Sequence, residues 1–185
     1  MSDKELLGRI KKTPDGFTEL FILYYKAIFG YIFRRTGNFD DTADIASETF
    51  YKAFRHIKYF SYKGIAIKIW LYRIATNEVN MYFRNRQKRG SLFEYLDISD
   101  KEMFNKFCQD DRVELEKLVD QNKQFQLVLD ALKKLPSKYQ DVLSLRYFEE
   151  KSIREIAEIL NLNEGTVKSL LSRGVEKLRK ICNQI

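Results

Sequence analysis

The sequence predicts an all-α chain of two small helical domains joined by a flexible acidic linker, the C-terminal domain being a four-helix helix-turn-helix unit. Three observations predict it. Apolar residues recur at helical spacing along almost the whole chain, and only eight glycines and two prolines interrupt 185 residues. The sign of the charge also reverses once, between residues 89 and 123, where acids outnumber cations. The expected divisions are 1–88, 89–123 and 124–185. A strand-like signal is confined to short runs such as residues 64–69.

Composition narrows the function before any motif is considered. A net charge of +7 favours a polyanionic partner, nucleic acid first. Cys108 and Cys182 lie far apart with no CxxC or Cys/His spacing, so neither a disulfide framework nor a zinc site is expected. No cofactor and no metal are expected either. Residues 1–12 are charged, and no run approaches the roughly 20 apolar residues of a membrane span, which predicts a cytoplasmic protein without direct membrane insertion. The single histidine, His56, sits between cations and reads as a surface residue. With no glycine-rich phosphate loop and no ligand cluster, no catalytic groups are expected and the chain does not read as an enzyme.

In the first domain, Thr13-Pro14-Asp15-Gly16 is turn-like, and Phe17, Leu20, Phe21, Tyr24, Ile28, Tyr31 and Ile32 then predict a buried helix over 17–35. Asp40 and Asp41 gather where the dipole of a second helix favours acids. Within that helix Ala43, Ala46, Phe50, Ala53, Phe54 and Ile57 form the core stripe. Asp44, Glu48 and Lys52 form a separate exposed face, readable as a solvated face or as a protein-docking surface. The run 59–64 breaks the pattern with three aromatics, a lysine and a glycine. Exposed aromatics beside a cation suit stacking on unpaired bases, although Phe60 reads as a core cap. A helix over 70–84 then turns Trp70, Leu71, Ile74 and Ala75 inward. Arg73, Asn77, Asn80 and Arg84 fall at i, i+4, i+7 and i+11, a polar stripe able to meet base edges and phosphates.

The second domain opens with a helix carrying Phe125, Val128, Leu129 and Leu132, closed at Leu135-Pro136, and continues with a helix over 139–147. Two short helices follow. Ile153, Ile156, Ala157 and Leu160 give the first an apolar face, with Ser152 able to cap it. Asn163 can cap the second, whose inward positions are Val167, Leu171, Gly174 and Leu178. Its opposite face holds Thr166, Lys168, Ser169, Ser172, Arg173 and Lys177. Short hydroxyls interleaved with cations suit a helix lying in the major groove, although an ordinary basic helical hairpin has the same periodicity.

Together these residues resemble the sigma-70 family of bacterial RNA polymerase initiation factors, specifically its extracytoplasmic-function (ECF) group. The likeness rests on Asp44-Ile45-Ala46-Ser47-Glu48-Thr49-Phe50 followed by Trp70-Leu71-Tyr72-Arg73-Ile74-Ala75-Thr76-Asn77 in the first domain. In the second it rests on Leu135-Pro136, Leu143-Ser144-Leu145-Arg146-Tyr147, Ile153-Arg154-Glu155-Ile156-Ala157 and Gly165-Thr166-Val167-Lys168-Ser169. The resemblance implies a specificity subunit that binds RNA polymerase core and promoter DNA, with a sequestering anti-sigma factor as a further partner. By the same likeness Asp44, Ile45, Glu48 and Thr49 would dock on the polymerase. Tyr59, Tyr62, Lys63, Arg73, Asn77, Asn80 and Arg84 would melt and capture the −10 element, and the helix bearing Arg173 would read the −35 duplex. The acidic linker would follow the RNA path. Leu170, Ser172, Gly174 and Met81 depart from commoner family residues, which bears on the target sequence. The rival reading is a helix-turn-helix transcriptional regulator whose N-terminal domain binds a ligand or dimerises.

Overall fold

The computed structural model describes residues 3–10, 12, 15–61, 65–87 and 123–183. Every regular element among them is helical. The N-terminal module comprises α1 (Asp3–Ile10), α2 (Asp15–Thr36), α3 (Phe39–His56), one 3-10 turn (Ile57–Tyr59) and α4 (Ile67–Gln87). Helices α2, α3 and α4 pack on one another and α1 lies against α2. Their shared interior is rich in rings because α2 supplies an aromatic at almost every inward turn. Phe50 of α3 meets Phe21 edge-on at a centroid distance of 4.8 Å and Tyr25 at 5.8 Å.

Local chemistry sets the helix ends. Gly37 takes φ +62° after α2, and its N–H returns to the Phe33 carbonyl at 2.7 Å. The Asn38 side chain then accepts the Asp41 N–H at 2.9 Å and opens α3. Three expectations change here. Residues within 1–12, read only as charged, form α1, which buries Leu6, Leu7 and Ile10. The strand-like run near 64–69 gives way to helix from Ile67, whose N–H is accepted by the Asp3 carboxylate at 2.9 Å. Phe54, placed on the core stripe by spacing, is 51% exposed and meets Phe17 edge-on.

The C-terminal module comprises α5 (Lys123–Lys133), α6 (Ser137–Leu143), a π-helical turn (Ser144–Phe148), α7 (Ile153–Leu160) and α8 (Glu164–Cys182). The single helix expected over 139–147 is therefore a short α-helix that widens. The N–H of Glu149 reaches back to the Ser144 carbonyl at 3.2 Å, the i to i+5 pairing of a π-turn. Helices α5, α6 and α7 all pack on α8 around Leu132, Val142, Leu145, Ile156 and Val167. The two modules touch: α4 packs on α7, and α2 packs on the π-turn and on α5. The linker expected over 89–123 lies outside the described residues apart from Lys123, which already belongs to α5.

Candidate nucleic-acid interface

Helices α7 and α8 are held at their ends by short-range hydrogen bonds. The Ser152 hydroxyl accepts the Glu155 N–H at 3.2 Å while the Glu155 carboxylate accepts the Ser152 N–H at 2.8 Å, a complete capping box. Burial acts to raise the Glu155 carboxyl, but these bonds, with Lys151 and Lys68 nearby, outweigh it and hold the group below its usual range. Asn161 closes α7 in the left-handed conformation at φ 53°. Asn163 opens α8 by accepting the Thr166 N–H at 2.7 Å. Gly174 lets α8 settle on α6, since a Cβ there would stand 3.3 Å from the Leu143 side chain. The consequence is an outward face on which Lys168, Ser169, Ser172, Arg173 and Lys177 are exposed and Thr166 is half-exposed. All six expected −35 residues share this face.

The α4 stripe is divided. Asn77 and Arg84 are exposed, whereas Arg73 and Asn80 are half-buried where α4 meets the C-terminal module. Arg73 donates from Nε to the Glu158 carbonyl at 3.1 Å, and its Nη2 bonds the same oxygen. Tyr59 is 84% exposed beside exposed Lys58, while Phe60 packs against Trp70 as the expected core cap. Tyr62 and Lys63 lie outside the described residues. On α3, Asp44 is exposed and Glu48 is half-buried, pairing with Lys52 at 3.2 Å. Ile45 and Thr49 are buried, and the Thr49 hydroxyl is spent on the Ile45 carbonyl at 2.7 Å. These two positions therefore face the core of the N-terminal module, because a helix turns only one side outward.

A polar seam joins the modules, and sequence reasoning did not find it. Its centre is Arg35, in the last turn of α2 and 0% exposed. Its guanidinium ion-pairs with the Asp141 carboxylate and donates to Gln140 Oε1 at 3.2 Å, Ser137 Oγ at 3.0 Å and Asn80 Oδ1 at 3.4 Å. Asn80 in turn donates to Asp141 at 3.1 Å and accepts from the Ser137 hydroxyl at 2.6 Å. Burial pushes the Asp141 carboxyl up, opposed by Arg35 and Asn80. Alongside, the Glu149 carboxylate accepts from both Arg34 and the Tyr72 hydroxyl. Lys151 sits 4.7 Å over the Tyr72 ring, and burial, then the neighbouring Lys68, hold its amine below the usual range. Phe33 and Leu129, with Phe39 and Phe125 around them, close one flank.

Comparison with known proteins accounts for both modules together. Residues 20–89 match the sigma-70 region 2 family model, and residues 125–178 match the model of sigma-70 region 4. The chain is 34% identical over 183 residues to the ECF RNA polymerase sigma factor SigW of Bacillus subtilis, covering 97% of this chain and 96% of that protein. The chain belongs to the ECF group of the sigma-70 family. Two solved structures share its fold. CnrH in complex with the cytosolic domain of CnrY superposes with a TM-score of 0.68 at 18% identity, covering 98% of this chain and 97% of that one. The sigma factor RpoE in complex with the anti-sigma factor NepR from Bartonella quintana superposes at 0.64 and 19%, covering 90% and 96%.

This sigma factor is thus a promoter-specificity factor of transcription initiation, and the helix-turn-helix regulator with an unrelated N-terminal domain is set aside. That rival predicted only the C-terminal half of what matches. Among the described residues no group of three or more His, Cys, Asp or Glu is placed to hold a metal, and no helix is long and apolar enough to cross a membrane. The seam residues Arg34, Arg35, Ser137, Asp141 and Glu149 carried one usable signal in the sequence. Two adjacent arginines end a helix that is otherwise strongly apolar, where cations favour the dipole but a second one has no local need.

Proposed function

We propose that this sigma factor joins RNA polymerase core through the acidic edge of α3, exposed Asp44 with half-buried Glu48, and selects promoters through two DNA-facing surfaces. On the C-terminal module, α8 enters the −35 major groove, Thr166, Ser169 and Ser172 facing base edges while Lys168, Arg173 and Lys177 meet bases or phosphates. On the N-terminal module, Tyr59, Tyr62 and Lys63 hold unstacked bases of the −10 element, and Arg73, Asn77, Asn80 and Arg84 bind the strand beside them. The division follows the residue ranges 1–88 for core binding and −10 melting, 89–123 for the linker and 124–185 for −35 reading. The factor works in the cytoplasm and acts by binding, without catalysis of its own. An anti-sigma protein is its regulatory partner, as the Bartonella quintana relative has in NepR.

The observation that supports this reading best is the shared outward face of α8, where five hydroxyl and cationic side chains are exposed and Thr166 half-exposed on a helix braced by Gly174 against α6. In vitro transcription with purified core and start-site mapping tests it. Defined starts that appear only with the factor support it. Unchanged starts, or no co-elution with core, overturn it.

A further inference from the structure

We propose that Asp3 is a positioning residue for −10 capture: from α1 it caps the start of α4 and so fixes the far end of the run that leaves the 3-10 turn at exposed Tyr59. The positioning rests on the −10 role proposed above for Tyr59 and the α4 stripe, whereas the cap does not.

Helix α4 opens with Ile67-Lys68-Ile69-Trp70, and no side chain in that run can accept its first N–H groups. Helices α3, α7 and α8 are each opened by the residue just before them, Asn38, Ser152 and Asn163. Before α4 stand Ile65 and Ala66, which carry no side-chain acceptor. Its first turn holds no acid, and Lys68 there has the wrong sign for the helix dipole. Ile67 is 0% exposed, so its N–H must be met within the protein. The acceptor comes from another element, 64 positions away. The Asp3 carboxylate takes the Ile67 N–H at 2.9 Å and brings a negative charge to the positive end of α4.

Packing fixes where Asp3 stands. Leu6, Leu7 and Ile10 bury α1 against α2, and a Cβ on Gly16 would come within 2.5 Å of the Ile10 nitrogen, so this close approach requires glycine. The half-buried Tyr24 phenol of α2 is raised, by burial first and then by the Asp3 charge, in keeping with a carboxylate lodged between α2 and α4. The cap acts beyond its own bond. Phe60, next to Tyr59, packs on Trp70 at a centroid distance of 4.8 Å, and Trp70 belongs to the same first turn, its N–H meeting the Ala66 carbonyl at 3.1 Å. One carboxylate thus secures both the point where the run re-enters helix and the ring on which its opening rests. A surface ordered beforehand loses less entropy when it takes up an unstacked base. Helix α8 has its own cap at Asn163 and does not depend on Asp3.

Two variants of the full-length chain test this. Asp3→Ala removes the acceptor, and Asp3→Asn keeps an oxygen there without the charge. In amide hydrogen exchange followed by NMR, the Ile67 amide is expected to exchange about tenfold faster in Asp3→Ala and near the parent rate in Asp3→Asn. An Ile67 amide unchanged in Asp3→Ala overturns the cap. Circular dichroism checks that both variants stay folded. Function is read in holoenzyme reconstituted with polymerase core, using a fluorescent base analogue in the −10 element. Asp3→Ala is expected to slow promoter opening about three- to tenfold, the range a lost helix cap spans, and Asp3→Asn to restore most of the rate. Closed-complex affinity and −35 duplex binding stay within about twofold of the parent. Arg9→Gln, which breaks the exposed pair with Glu19 on the same helix, leaves opening unchanged. Undiminished opening in Asp3→Ala, equal losses in opening and −35 binding, or no rescue by Asp3→Asn overturns the positioning role. Tyr59→Ala is measured alongside: unchanged opening there removes the −10 reading, and Asp3's part in it, while the Ile67 amide still decides the cap.

Discussion

The outward face of α8 and the polar stripe of α4 carry similar side chains and differ in availability. On α8, Lys168, Ser169, Ser172, Arg173 and Lys177 are all exposed. On α4, Asn77 and Arg84 are open while Arg73 and Asn80 are bonded to the other module. The difference teaches that residue type and helical spacing locate a nucleic-acid surface but leave open whether it is free. On α8 the supporting contacts come from behind, through Val167, Leu171 and Gly174, so most of the polar side is left to solvent, although Lys177 leans over the Tyr139 ring at 5.8 Å. On α4 both sides are used. Ala75 and Val79 face the module's own core, and Arg73 and Asn80 of the stripe meet a second protein surface of matching polarity.

The sharpest way to break the comparison is to remove what holds α8 up. Ile156→Ala empties a fully buried site between α7 and α8, and is expected to cost about 2–5 kcal/mol of unfolding free energy, read by urea denaturation. A loss under about 1 kcal/mol would mean that α8 is supported from elsewhere.

Arg173→Ala compares the two faces directly. It is expected to weaken binding to a −35 duplex by about 1–3 kcal/mol if Arg173 meets a base, and less but uniformly across sequences if it meets phosphate. Arg73→Ala, made in the same chain, is expected to change that duplex affinity by no more than about 0.5 kcal/mol, because its guanidinium is bonded to Glu158. Equal losses in the two variants at matched salt would erase the distinction between the faces.

Ser152→Ala should cost about 0.5–2 kcal/mol through loss of the α7 cap, measured by thermal or chemical unfolding. An unchanged midpoint would show that water replaces the capping hydroxyl without loss. The smallest expected effect is on pH. Because hydrogen bonds hold Glu155 below its ordinary value of 4.5, its contribution to stability is complete above that value and declines as pH falls through the depressed folded-state value. Glu155→Gln should flatten that acid limb slightly. A parent and variant with identical acid limbs would remove Glu155 from the account.

How legible each part was follows from how far apart its partners lie in the chain. The caps at Ser152 and Asn163 and the apolar faces of α7 and α8, all read from spacing, fall within residues 152–182, and each interaction spans a few positions. The family likeness rests on the same local runs. Helix α1 was missed for the opposite reason. Eight residues are too few to form a stable helix alone, and α1 exists because Leu6, Leu7 and Ile10 find α2 and Asp3 finds the start of α4. Ile45 and Thr49 share a motif with Asp44 and Glu48, and only packing separates the buried pair from the outward one.

The sequence by itself determined that this chain is helical and two-part, where its helix-turn-helix begins and ends, and which side of α8 is polar, because periodicity and capping act over one or two turns. Only the tertiary structure decided that α2 and α4 would meet the C-terminal module. Arg35 and Asp141 stand 106 positions apart, and no local rule couples residues at that distance. An arginine at a helix end satisfies its own helix equally well in water or in a seam. The choice is made by the surface that folds against it.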